Sequence, residues 1–271
     1  MSRADPVFSD LAVRLTTGVA LAVAGFGAIW AGGWAFLALT ALAVGVMHWE
    51  LGRLGGLSST NVVIVAPAAA LSIAGALLVA GGAASVAFLA LPALLSLGVA
   101  ATVQPDARAS IPVLVAGSLA IMLAGYVALI LRDGGGVIWM LWLILSVVVT
   151  DICGYFAGRL IGGPKFWPRV SPKKTWSGIV AGWIGAGIVG ALFMAPTGTR
   201  EGLIAVSVLV SMASQLGDIS ESALKRRAGV KDSSRLLPGH GGLLDRLDGV
   251  LGATLILGLV ALVTNYPEAP I

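Results

Sequence analysis

Long apolar runs separated by short polar breaks set the pattern of the chain. Nine such runs can be drawn, roughly 15–30, 34–51, 62–80, 84–103, 111–131, 137–160, 176–195, 203–224 and 247–266. A bilayer core about 30 Å thick takes roughly 20 helical residues per crossing, and the runs have about that length. Backbone N–H and C=O groups in lipid need internal partners, so each run is expected to be a helix. The period-two alternation of a membrane barrel is absent. The expected fold is all-α: a polytopic membrane protein with about nine transmembrane helices in one integral-membrane domain, 1–271.

The polar breaks are unequal. With the N-terminus inside, that side receives Arg3, Arg14, Arg53, Arg108, Arg159, Lys165, Arg169, Lys173, Lys174, Lys225, Arg226, Arg227, Lys231, Arg235 and Arg246, while the other receives Arg132 and Arg200. Cytoplasmic loops of membrane proteins carry such an excess of Lys and Arg. The expected topology therefore has a cytoplasmic N-terminus, an outside C-terminus and the two long loops of the second half in the cytoplasm. The first half, 1–135, reads as lipid-embedded helix, and 136–271 holds almost all the candidate chemistry.

Composition agrees with the pattern. The chain is 58% hydrophobic and 11% charged, with a mean hydropathy of +0.97, too apolar for a soluble domain. The pI near 9.6 would suit a nucleic-acid binder, yet no nucleic-acid module is present. In a membrane chain the excess cations set topology or hold anionic lipid and phosphate. The lone cysteine, Cys153, excludes an intrachain disulfide and a cysteine metal site, and reads as a small buried residue. The N-terminal run reads as an uncleaved first span.

The richest stretch is 217–249, GDISESALKRRAGVKDSSRLLPGHGGLLDRLDG. Asp218, Glu221, Ser222 and Lys225 follow helical spacing and share one face. Asp245 and Asp248 are one turn apart at the start of the last run. A turn at Pro238-Gly239 and small residues at Gly241-Gly242 connect the two helices. Carboxylates beside Lys and Arg suit a magnesium-assisted phosphoryl centre, because Mg²⁺ takes one or two carboxylates plus substrate phosphates. The competing reading is a solvated, salt-bridged loop that fixes topology. A second face, Asp151, Gly154, Tyr155, Gly158 and Arg159, recurs at helical spacing in the sixth run. It suits either a site or an Asp–Arg pair between helices. The following loop carries Lys165, Arg169, Lys173 and Lys174 between Trp167 and Trp176, as at a membrane interface. His48 and Glu50 suit packing or pairing. His240 suits phosphate binding, acid catalysis or loop positioning. Gly134-Gly135-Gly136 lacks the ending of a nucleotide P-loop and reads as a linker.

These residues resemble the signature of the phosphatidate cytidylyltransferase, or CDP-diacylglycerol synthase, family. The match runs through Ser222-x-Leu224-Lys225-Arg226, Lys231-Asp232, Pro238-Gly239-His240-Gly241-Gly242 and Asp245-Arg246-x-Asp248. Two further stretches fit the same family, Thr150-Asp151 through Gly158-Arg159 and Ser171-Pro172-Lys173-Lys174-Thr175-Trp176. The resemblance is close over about 149–249. Two positions depart from the family: Cys153-Gly154 stands where it usually has Gly-Ala, and Ser177 stands where it usually has Glu.

The resemblance implies an inner-membrane transferase of phospholipid biosynthesis, its site facing the cytoplasm, that joins CTP to phosphatidic acid and releases pyrophosphate. It implies Mg²⁺ held by Asp218 and Asp245, with Glu221 and Asp248 as further ligands or one layer out, and a second, monovalent cation. Lys225, Arg226, Lys231 and Arg246 would neutralise the triphosphate. Asp151, Arg159, Lys173 and Lys174 would shape the headgroup side, with Tyr155, Ser171, Ser222, Asp232 and His240 as further substrate contacts. A homodimer would suit the family. A CTP-dependent polyprenol kinase, a CDP-alcohol phosphotransferase and a transporter are the alternatives. The Val250-Leu251 that follows Asp248-Gly249 speaks against the second, and the one-sided charge against the third.

Overall fold

The computed structural model describes residues 6–78, 82–103 and 110–264. Arg3, Asp5, Arg108 and the expected span ends at Ala80 and Tyr266 lie outside the described residues. Among the described residues eight α-helices run in order: α1 (Pro6–Ala31), α2 (Gly33–Leu54), α3 (Ser59–Leu78), α4 (Gly82–Gly98), α5 (Ile111–Leu160), α6 (Trp176–Thr197), α7 (Gly202–Arg227) and α8 (Leu244–Thr264). Seven of them are long and apolar enough to cross a membrane, and α4 is extended by a π-helical turn, Val99–Val103.

The 50-residue α5 holds two of the expected spans and folds back at Gly136, where φ is 70°. That backbone region favours glycine, so the Gly134–Gly136 connector is the bend of a helical hairpin. Its geometry is fixed at three points. Leu114 packs at Gly55, by the end of α2, and Arg132 donates to Ile29 O (2.5 Å) and Trp30 O (3.1 Å) at the opposite end of the bundle. Asp151 and Arg159 then return to the first end, beside Lys174.

An all-helical chain was expected, but the loop between α5 and α6 forms a small antiparallel hairpin, β1 (Lys165–Trp167) with β2 (Ser171–Thr175). Phe166 and Trp176 close it in an edge-to-face contact, 4.8 Å between ring centres. Thr175 then caps α6 by accepting from Gly178 N at 3.2 Å.

The core is built around Val44, Ile73, Met122, Leu129, Trp142 and Leu143, all at most 2% exposed. Lipid tails are as apolar as leucine, so helices in a bilayer associate through close packing and hydrogen bonds between them. Both occur here. Trp142 Nε1 donates to Ser207 Oγ at 2.9 Å and Thr150 Oγ1 to Ser211 Oγ at 2.8 Å, tying α5 to α7. α7 and α8 touch through glycine. A Cβ at Gly217 would overlap Asp248 O, and one at Gly252 would overlap Ala213 O. Much of the outer surface along the helices is apolar, with Leu15, Trp30, Leu71, Leu192 and Leu262 all well exposed. Cys153, expected to be buried, is half-buried, with its Sγ beside Gly185 of α6.

Candidate active site

One end of the bundle gathers the charge. The close glycine contact of α7 with α8 draws the C-terminal turns of α7 to the first turns of α8. There Lys225 of α7 stands between two carboxylates, ion-paired with Glu221 one turn back and 2.6 Å from Asp245 Oδ1. All three side chains are at most 13% exposed. The other oxygen of Asp245 accepts from Ser233 N (2.9 Å), Ser233 Oγ (2.9 Å) and Gly242 N (2.7 Å). Asp245 thus organises the loop between the two helices while it neutralises Lys225.

Asp218, one turn deeper on α7, has different partners. Its Oδ2 lies 2.5 Å from Lys174 Nζ of the hairpin, and its Oδ1 accepts from Ser222 Oγ at 3.4 Å. Asp248 of α8 and Asp151 of α5 both lie within electrostatic reach of Asp218. Asp218 and Asp245, expected to share one divalent ion, therefore sit in separate pairings: Asp218 with Lys174 and the two further aspartates, Asp245 with Lys225 and Glu221.

The expected face of α5 lines a polar cavity of about 410 Å³. Asp151, Tyr155 and Arg159 are joined there by Lys165, Lys173, Lys174 and Gln215. Arg159 Nη1 donates to Tyr155 OH at 3.1 Å, and Gln215 Oε1 accepts from Trp183 Nε1 at 3.0 Å. The hairpin carries the lysines in, and Ser171 begins its second strand. Ser177 Oγ donates to Gly162 O at 2.5 Å and lies 3.0 Å from Thr175 Oγ1, so it closes the base of the hairpin. On the other side of α7 lies a largely apolar cleft of about 810 Å³ between α7, α8 and the first half of α5. Glu221, Asp248 and Arg227 stand in its lining among residues such as Leu216, Leu251 and Leu255.

The loop completes the end of the bundle. Leu237 and Gly241 exchange backbone hydrogen bonds around the Pro238-Gly239 turn, with Gly239 at φ 74°. Arg246 Nε holds His240 O at 2.9 Å, Arg226 Nη1 donates to Val230 O at 3.3 Å, and Asp232 lies beside Gly241. Lys231 and Asp232 are exposed. From the half expected to be bland, α1 brings Gly18 against the His240 ring and Arg14 against Gly239. Glu50 of α2, expected to pack or pair, is bonded to Ser234, Leu243 and Leu244. The signal that marks Glu50 is a carboxyl group in an apolar span. His48, also buried, bonds its Nδ1 to Val44 O at 2.8 Å within its own helix.

The donor set can be weighed against a magnesium ion. Among the described residues, no group of three or more His, Cys, Asp or Glu is placed to hold a metal. Mg²⁺ needs only one or two protein carboxylates when substrate phosphates supply the rest. Asp218 and Asp248 are two such carboxylates, within electrostatic reach of one another. Asp245 does not meet that need while Lys225, Ser233 and Gly242 occupy both its oxygens.

The description of the Cytidylyltransferase family matches residues 12–264, nearly the full length. A phosphatidate cytidylyltransferase of Brucella suis is 46% identical over 135 residues, 48% of this chain and 49% of that protein. One of Staphylococcus saprophyticus is 39% identical over 146 residues, 53% and 56% of the two chains, and one of Haemophilus influenzae is 42% identical over 125 residues, 44% and 43%. In these matches the chain spans about half the length of the curated relatives it matches. On the family match across its helices and its charged end, the chain belongs to the cytidylyltransferase family.

Proposed function

We propose that this protein transfers the cytidylyl group of CTP to phosphatidic acid, giving CDP-diacylglycerol and pyrophosphate. The observation that carries the reading is the pair of cavities flanking α7. A polar one holds Arg159, Lys165, Lys173 and Lys174, and an apolar one reaches Glu221, Asp248 and Arg227 at its polar wall. The fixed cations of the first suit anionic phosphate groups, and the apolar walls of the second suit hydrocarbon tails. The names of the relatives support the same substrate.

In the reaction, a phosphate oxygen of phosphatidic acid attacks the α-phosphorus of CTP. The new P–O bond forms as the bond to the β-phosphate breaks, and the electron pair leaves with pyrophosphate. Both reactants are anionic, so fixed cations lower the barrier by offsetting their repulsion. Lys173, Lys174 and Arg159 serve the lipid phosphate, while Lys225, Arg226, Lys231 and Arg246 serve the triphosphate. Asp151, Tyr155, Ser171, Ser222, Asp232 and His240 orient these groups. A magnesium ion, when bound, would polarise the phosphate oxygens. Asp218 would anchor it with Asp248 beside it. Glu221 and Asp245 would join only if Lys225 turned from them to the nucleotide. A second, monovalent cation belongs to the same proposal.

The proposal places the chain in a bacterial inner membrane with nine crossings, the N-terminus and the charged end in the cytoplasm and the C-terminus outside. Two copies would pair through helix faces in lipid. Detergent-purified protein supplied with labelled CTP, phosphatidic acid and Mg²⁺ should yield CDP-diacylglycerol and pyrophosphate. Release of CDP with a phosphorylated lipid would instead identify a kinase, and no turnover at all would refute the assignment.

A further inference from the structure

Glu50 lies in the first half of the chain, yet everything its side chain bonds belongs to the second. It is fully buried, 0% exposed. Oε1 accepts from Ser234 Oγ at 2.6 Å and Leu243 N at 2.9 Å, and Oε2 accepts from Leu244 N at 2.6 Å. These partners are 184 to 194 residues away in sequence.

Two of the three donors are backbone N–H groups at the start of α8. The first N–H groups of any helix lack partners within it, and a carboxyl group at that end also faces the positive pole of the helix dipole. A residue just before the helix ordinarily serves as the cap. Here the cap comes from α2. The same segment is held from its other side by Asp245, through Ser233 and Gly242. Gly242 is pinched between Glu50 and a partner of Asp245: a Cβ there would overlap Ser233 Oγ and Glu50 Oε1. Three donors converging on two oxygens specify a carboxyl group. Glutamine offers one acceptor oxygen, and its amide nitrogen would turn a donor toward a donor.

We propose that Glu50 is a positioning residue for the active site. It fixes segment 233–244 and the first turn of α8, and so sets Asp245, Arg246 and Asp248 in place against α7. This rests on reading that end of the bundle as the nucleotidyl-transfer site. Glu50 thereby brings α2 into the positioning of the site, without itself touching substrate.

The test uses the full-length protein in detergent and two variants, Glu50→Gln and Ser234→Ala. Hydrogen exchange of the peptide covering 233–247 should accelerate about tenfold in Glu50→Gln and about threefold in Ser234→Ala, the size expected for lost hydrogen bonds to a charged group. The KM for CTP should rise by about tenfold in Glu50→Gln, while the KM for phosphatidic acid stays within about twofold. Parental exchange and parental KM values in both variants would overturn the proposal. So would a rise in both KM values accompanied by faster exchange throughout the protein, which marks general loosening. If Glu50→Gln does not fold, Ser234→Ala decides by the same measurements. If the parent chain makes no CDP-diacylglycerol, the proposed reaction fails, and the exchange contrast alone decides whether Glu50 holds the segment.

Discussion

Lys174 Nζ stands 2.5 Å from Asp218 Oδ2, joining the hairpin before α6 to the charged end of α7. The contact makes one site of two motifs that are 44 residues apart. It also places a cation and a carboxylate of partial exposure, 22% and 35%, where a phosphate and a metal could exchange partners with them.

The first prediction concerns Asp218. An ion pair this exposed contributes little to stability, within about 1 kcal/mol. Asp218→Asn should therefore stay folded, with a thermal midpoint within roughly 3 °C of the parent. Its turnover should fall at least about a hundredfold, as removal of one electrostatic stabiliser does elsewhere. Lys174→Met should raise the KM for phosphatidic acid more than that for CTP. Product assays and thermal unfolding read both variants, and near-parental turnover in Asp218→Asn would remove this carboxylate from the chemistry.

Asp245 should behave differently. Its two oxygens accept from four donor groups, and its side chain is 4% exposed. Breaking a buried pair on one side costs about 3–5 kcal/mol, because the partner charge is left uncompensated. Asp245→Asn should thus lose activity and also lower the thermal midpoint by roughly 5–10 °C. Glu221→Gln should cost less, since Lys225 keeps Asp245. Equal stability of the Asp218→Asn and Asp245→Asn variants would show that the two aspartates do not divide the work in this way.

Helices and charged residues of the second half were legible in the sequence because each follows from a local rule. Apolar length gives the helices. Spacing of three and four gives the faces of Asp218–Lys225 and of Asp151–Arg159. What spacing cannot express is pairing between distant segments. Asp218 and Asp245 look equivalent in sequence, and only the packing of hairpin against α7 and of loop against α8 gives them different partners. Glu50 is the clearer case. A single carboxyl group at the end of an apolar helix carries no periodicity, so its three partners could be found only once α2 lay against α8. The hairpin at 165–175 leaves no such signal, because its strands are three and five residues long, too short for alternation to stand out.

Ser177 tests a departure from the family. Its hydroxyl holds Gly162 O and Thr175 Oγ1 at the base of the hairpin, so its work here is structural. Ser177→Ala should destabilise by about 1 kcal/mol, the net value of one such hydrogen bond, and leave both KM values near the parent's. A selective loss of CTP binding in this variant would show that the hydroxyl has taken over a ligand role.

The last prediction fixes the side on which all this happens. Gly134, at the bend of α5, and Arg169, in the hairpin turn, are both exposed and sit at opposite ends of the second half of α5. Fifteen of the seventeen Lys and Arg fall on the hairpin's side in the expected topology, the bias that marks a cytoplasmic face. In intact cells, with any outer envelope made permeable, an impermeant maleimide should label Gly134→Cys and spare Arg169→Cys until the membrane that holds the protein is opened. Cys153, half-buried beside α6, serves as the background in the parent chain. The reverse pattern would turn the protein over and put its charged end outside, away from cytoplasmic CTP, and the proposed reaction could not then be its function.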